Sequence, residues 1–252
     1  MTTRAQSLRC FFPSVFSVLS VSSAVKAFVF SLFLLALALP ASAADGAVLI
    51  YRKVFKSSSP EFIEVKIREN GQCTADIRQL DDDAEPQPFQ ASPALIARMF
   101  QMAAELNHFS GIELNVKRRL ANLGEKTFRY EKGAQSGEVT FNYTVNPTAQ
   151  QLMQIFEGLG RQQEHVQVLQ HRMRFDRLGV NDELLQIEID LNRKFLPEPE
   201  RLIPILEGVA NDTRVVDIAR QRARALVERL RTPPKVSYKV EIVPLPPQPM
   251  AL

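Results

Sequence analysis

Phe62-Ile63-Glu64-Val65-Lys66-Ile67-Arg68, then Glu69-Asn70-Gly71, then Gln72-Cys73-Thr74-Ala75-Asp76-Ile77-Arg78 is the stretch that decides the fold. Ile63, Val65 and Ile67 alternate with charged residues, and Cys73, Ala75 and Ile77 alternate with polar ones, so each run has the period of two of a half-buried strand. Asn70-Gly71 marks a turn between them. A two-residue loop would pair Ile67 with Thr74 and Val65 with Asp76, mixing apolar and polar groups on one face. A three-residue loop, Glu69 to Gly71, pairs Ile67 with Cys73, Val65 with Ala75 and Ile63 with Ile77. It puts all six on one face and Gly71 at the left-handed position such loops need. The sequence therefore predicts an antiparallel hairpin with Cys73 on its core side. A thiol buried there, without a basic neighbour, is a poor nucleophile.

Further β signals surround this hairpin. Ala47 to Phe55 is an apolar, β-rich run, and Gln87-Pro88-Phe89-Gln90 reads as a short edge strand. Phe128 and Tyr130, and then Val139, Phe141, Tyr143 and Val145, alternate with polar residues, with Lys132 to Gly137 as the loop between them. Asp81-Asp82-Asp83 lacks the ligand spacing of a calcium loop and reads as a solvated turn. Ser92-Pro93 opens a helix with a capping side chain and a first-turn proline, and Leu95, Ile96, Met99, Phe100, Ala103 and Leu106 form its apolar stripe. His108 caps that helix or faces solvent. Lys117-Arg118-Arg119 reads as a solvated helix end. Residues 44–146 thus predict an antiparallel sheet with a packed helix, the first part of an α+β fold.

Residues 147–232 read as helical, a small bundle following the sheet. Thr148 is the expected cap of the first helix, whose stripe is Leu152, Ile155, Phe156, Leu159, Val166, Leu169 and Met173, with Gly158 and Gly160 as weak points for a kink. Leu178-Gly179 is its expected stop. A second helix starts at Asn181, with Leu184, Glu188, Leu191 and Phe195 on one side. A short helix holds Leu202, Ile203, Leu206 and Val209, with Pro204 near its start. Asn211 or Asp212 is the expected cap of the last helix, whose core side is Val215, Val216, Ala219, Ala223, Leu226 and Leu230. Leu202-Ile203-Pro204-Ile205-Leu206 through Asn211-Asp212 to Ala219 and Leu226 resembles one HEAT-type repeat. Solenoids need about three such repeats, so the reading remains a bundle. Val236, Tyr238, Val240 and Ile242 alternate as one more strand, and the rest of residues 233–252 is proline-rich.

The chain of 252 residues has 31 basic and 28 acidic side chains, net +3, which would invite a nucleic-acid partner. The excess is confined to one segment. Arg4, Arg9 and Lys26 occur in residues 1–43, which hold no acid. The remainder has 31 − 3 = 28 basic against 28 acidic residues. Ala27 to Leu39 is apolar, Pro40 ends the run, and Ala41-Ser42-Ala43 has small residues at the cleavage positions. Thirteen helical residues span about 20 Å, short of the roughly 30 Å of a bilayer core. The segment predicts a secretory signal cleaved after Ala43. An uncleaved anchor is the alternative, because Phe11 to Val25 is also apolar. The Pro then Ala-x-Ala ending resembles bacterial Sec leaders, which implies a periplasmic or secreted protein. The whole chain resembles secreted bacterial proteins of unknown function, a resemblance that implies no activity.

Chemistry-bearing motifs are few. His165 and His171 are six residues apart, about 240° around a helix, so they do not form an i, i+4 metal pair. Asp176, five residues beyond His171, is off that face too. These three are the candidate site residues. There is no serine elbow, paired-cysteine zinc pattern, phosphate loop or H-E-x-x-H. No cofactor or metal is expected. The six arginines Arg214, Arg220, Arg222, Arg224, Arg229 and Arg231 load the last helix. The expectation is an exported, non-enzymatic protein-interaction module, its partner another protein met through the helical region or the C-terminal strand. No nucleic acid and no membrane span after cleavage are expected. The alternative is an exported hydrolase or small-ligand-binding protein.

Overall fold

The structure, a computed structural model, describes residues 46–232. The leader and the alternating run Val236–Ile242 lie outside them. The described elements are strands β1 (Val48–Val54), β2 (Phe62–Arg68), β3 (Gln72–Arg78) and β4 (Gln87–Gln90), helix α1 (Pro93–Glu105), strands β5 (Glu125–Lys132) and β6 (Gln135–Phe141), and helices α2 (Pro147–Phe175), α3 (Val180–Asn192), α4 (Ile203–Asn211) and α5 (Asp217–Arg231). The architecture is α+β: six antiparallel strands in the order β4-β3-β2-β1-β5-β6, with helices on one face.

The β2–β3 register is Ile67 opposite Cys73, Val65 opposite Ala75 and Ile63 opposite Ile77. Gly71 takes φ 91° in the three-residue loop, where a side chain would be strained. Four of the six paired residues, Val65, Ile67, Cys73 and Ala75, are buried in the sheet's core alongside Leu49, Tyr51, Phe128 and Phe141, and Ile63 and Ile77 pack against it partly buried. The second hairpin is tighter than its sequence suggests. Lys132 pairs with Gln135 across a two-residue loop in which Gly133 supplies φ 55°, so β6 begins earlier. It also ends earlier, at Phe141, leaving Val145 outside the strand and exposed.

Between α1 and β5 the chain makes a left-handed turn at Asn107, His108 and Phe109 (φ 51°, 48° and 64°). Such backbone is costly for residues with a Cβ. Phe109 offsets that cost by burying fully and stacking on Phe128 at 5.2 Å, and His108 packs on Tyr130 at 4.4 Å. Gly137 is required beside it, since a Cβ there would stand 2.1 Å from the His108 carbonyl oxygen. Lys117-Arg118-Arg119 lies in an irregular exposed segment, not at a helix end.

Helix α2 runs unbroken for 29 residues, about 44 Å at 1.5 Å per residue, despite Gly158 and Gly160. Its cap is Asn146, whose side chain accepts from the Ala149 N–H; Thr148 lies inside the helix, after a proline suited to the first turn. The two glycines do not bend the helix. They let other parts of the chain approach it: a Cβ on Gly158 would sit 2.4 Å from the Phe195 carbonyl oxygen, while Gly160 faces Ile63 and Val65. Ala149 to Leu159 belong to the sheet's apolar core, and Leu169 to a second core shared with α3, α4 and α5. One helix thus serves both layers.

In α3 the inward side is Val180, Leu184 and Ile187, with the acids Glu183 and Asp190 also buried, so Glu188 is not part of the core face. Pro204 sits harmlessly in the first turn of α4. Neither Asn211 nor Asp212 caps α5. That helix begins after Val216 without a side-chain cap, and Asp212 instead binds Arg214 in the preceding turn.

Candidate functional site

Of the three candidate residues, His165 and His171 lie in the distal half of α2 and Asp176 just past its end, and the structure gives them different jobs. His165 is fully buried where α2 crosses α3. Its Nδ1 lies 2.6 Å from Glu183 Oε1 and its Nε2 3.0 Å from Asp190 Oδ2. Arg161, one turn earlier, donates from Nε to the same Asp190 oxygen at 2.8 Å and from Nη1 to Glu164 at 3.0 Å. Burial works against the Arg161 cation, but its hydrogen bonds to Asp190 and Glu164, and their charges, outweigh it and hold its pKa above the ordinary value. Both imidazole nitrogens are therefore occupied by carboxylate oxygens inside a fully buried site. The ring is closed off from solvent on all sides. The arrangement satisfies buried polar groups against one another and pins α2 to α3.

Glu183 and Asp190 escaped the sequence reading because the partners sit 18 and 25 residues from His165. A signal was present. The two acids are seven apart and share the apolar side of α3, as His165 shares that of α2. A charged residue on a core face implies a partner on the facing helix.

His171 and Asp176 lie at the turn between α2 and α3. His171 is exposed, its ring 5.0 Å from that of Phe175. Asp176 ends α2 and accepts the Gly179 N–H at 3.1 Å, while Arg172 donates to the Gly179 carbonyl. Helix α2 therefore stops at Phe175, before the expected Leu178-Gly179. Gly179 closes the turn against the Asp176 carboxylate, which a Cβ there would meet at 2.2 Å. This braced turn holds Phe175 and Leu178 outward, each 75% exposed.

The α4–α5 connection shares that end of the bundle. Met173 reaches Gly208 of α4, and Arg177 helps hold the Asp212 carboxyl low, after the larger effect of its hydrogen bonds from Arg214. Ile218, in the first turn of α5, is 61% exposed. The α2–α3 turn and the start of α5 thus carry three of the most exposed large apolar side chains of the described residues.

Other polar groups are built into the interior. Glu157 on α2 accepts from the Tyr51 hydroxyl and from Lys53 Nζ, both at 2.9 Å. Burial, then the Glu157 charge and hydrogen bond, push the Tyr51 pKa far up. Lys126 donates to the carbonyls of Leu123, Gly124 and Asn142. Where the bundle meets the sheet, Glu198 accepts the Ser92 N–H at 2.9 Å and Gln162 donates to the Glu198 carbonyl at 2.6 Å. The outer sheet face carries a shallow depression of about 400 Å³ bordered by Lys66, Arg68, Gln72 and Thr74. Among the described residues, no cluster of three His, Cys, Asp or Glu is placed to hold a metal ion, and no helix is long and apolar enough to cross a membrane. No protein-family model matches the chain, and no curated protein matches it either.

Proposed function

We propose that the protein is an exported, non-enzymatic docking module that engages its partner through the free end of the helical bundle. The observation that carries this reading is the braced α2–α3 turn, which holds Phe175 and Leu178 out at 75% exposure. Clustered, solvent-facing apolar side chains on a fixed backbone mark contact surfaces. The full burial of His165 between Glu183 and Asp190 supports this reading over the hydrolase alternative. Export rests on the leader, with its basic residues, apolar run and Ala41-Ser42-Ala43 ending.

The test is a photo-reactive phenylalanine analogue at position 175 in cells that export the protein. Discrete adducts, to protein or to lipid, are expected there and absent when the analogue replaces Lys66 on the outer sheet face. Equal, diffuse labelling at both positions overturns the proposal. The N-terminus of the exported protein is expected to be Ala44.

A further inference from the structure

Resting on the docking reading, we infer that the partner is an anionic lipid surface, entered by Phe175 and Leu178 with Arg174 and Arg177 at the headgroups. The sequence of the turn is Arg174-Phe175-Asp176-Arg177-Leu178, and all five residues are exposed. Two exposed cation–apolar pairs, Arg174-Phe175 and Arg177-Leu178, flank Asp176 at this turn. A stable protein–protein contact buries about 800 Å² on each partner around a packed centre. A few protruding side chains interrupted by arginines fall short of that, but they suit a fluid interface. There the rings and methyls enter the acyl boundary while guanidinium groups reach back to phosphates.

The charges at this end support the same partner. Arg174 and Arg177 form no ion pair among the described residues. The nearby acids are committed: Asp176 to the Gly179 N–H, Asp212 to Arg214, Asp217 to Arg220 and Gln221. Asp182, four residues beyond Leu178 in the first turn of α3, is exposed and opposes deeper entry. It lies on the same side of α3 as the partly exposed Leu185 and Ile189. Penetration therefore stops at the tip, and these two stay above the lipid. The backbone is ready for insertion because Arg172 and Asp176 already tie the turn to Gly179, so little ordering is lost on binding.

The chain contains no tryptophan, so Phe175→Trp places a single indole at the tip. The exported form of this variant is mixed with vesicles of phosphatidylglycerol and phosphatidylcholine, and with vesicles of phosphatidylcholine alone. A blue shift and shielding from an aqueous quencher are expected with the anionic vesicles, weakening with salt, and neither change with the neutral ones. In co-sedimentation, Phe175→Ser with Leu178→Ser lowers partitioning at least tenfold. Arg174→Gln and Arg177→Gln lower it about fivefold each. Lys66→Gln leaves it unchanged, and circular dichroism confirms that every variant is folded. Equal affinity for neutral vesicles, or no shift with either kind, overturns the lipid inference. So does a dimer in solution that the Phe175→Ser, Leu178→Ser pair dissolves. If vesicles fail while position 175 still cross-links to a protein, the docking reading survives alone; if both fail, both fall.

Discussion

At the scale of single residues, burial decides which side chains are reactive. Cys73 is 3% exposed, and burial pushes its thiol up to about 11. At pH 8 roughly one thiol in a thousand is ionised. Labelling by a thiol reagent in native protein is expected to be slow and to accelerate in urea; fast native labelling would contradict the assignment. His165→Leu leaves Glu183 and Asp190 buried without the donor between them. It is expected to lower the unfolding free energy by about 3–5 kcal/mol in urea titration. Glu64 supplies a pH dependence. Burial raises its pKa, but hydrogen bonds from Lys66 and Arg52, and their charges, outweigh this and hold it below the usual value. The stabilisation is complete above the unfolded carboxyl value of about 4.3 and fades as pH falls through the lower folded value. Glu64→Gln is expected to flatten the acid limb of the stability profile, and an unchanged limb would show that the ion pairs contribute nothing. Cys73 could be placed from sequence because alternation and a turn signal act over neighbouring residues. The partners of His165 could not, because they depend on how two helices face each other.

At the scale of elements, α2 shows where propensity misleads. Glycine lowers helix propensity, and both Gly158 and Gly160 looked like weak points for that reason. The helix passes through both, since packing on two cores outweighs the local cost. The two positions should respond oppositely to alanine. A Cβ at Gly158 collides with the Phe195 carbonyl at 2.4 Å and with Pro197 at 2.8 Å, so Gly158→Ala is expected to cost about 1–3 kcal/mol. At Gly160 the nearest atoms are Ile63 Cγ2 at 3.4 Å and Val65 Cγ2 at 3.6 Å, ordinary contact. Gly160→Ala is expected to be neutral or to stabilise by up to about 1 kcal/mol. Thermal melts of the two variants, moving in opposite directions, check the pair. Caps were less legible than strands. Asn146, Thr148, Asn211 and Asp212 are all chemically able to cap, and the choice falls to where the preceding chain turns.

At the scale of the whole molecule, the sheet and the bundle share α2 and should unfold as one. Tyr51 and Tyr130 lie in the sheet core, while the helices dominate the far-ultraviolet dichroism. Tyrosine fluorescence and ellipticity at 222 nm are therefore expected to trace one coincident urea transition, and two midpoints would mean that α2 breaks between the cores. The α+β class was readable because strand and helix periods occupy separate halves of the sequence. The joint between the halves was not, because the stripe on α2 looks the same whether it packs on strands or on helices.

The shared helix also restricts how the chain can vary in length. Loops such as the exposed one at Asp81–Asp83 can gain or lose residues with little consequence. One residue inserted between Leu159 and Leu169 would instead turn the distal half of α2 by about 100° and shift it about 1.5 Å. His165 would leave Glu183 or Leu169 would leave its core, and the exposed tip would point elsewhere. Related sequences should accordingly keep the spacing between Leu159 and Leu169 fixed while their surface loops differ in length.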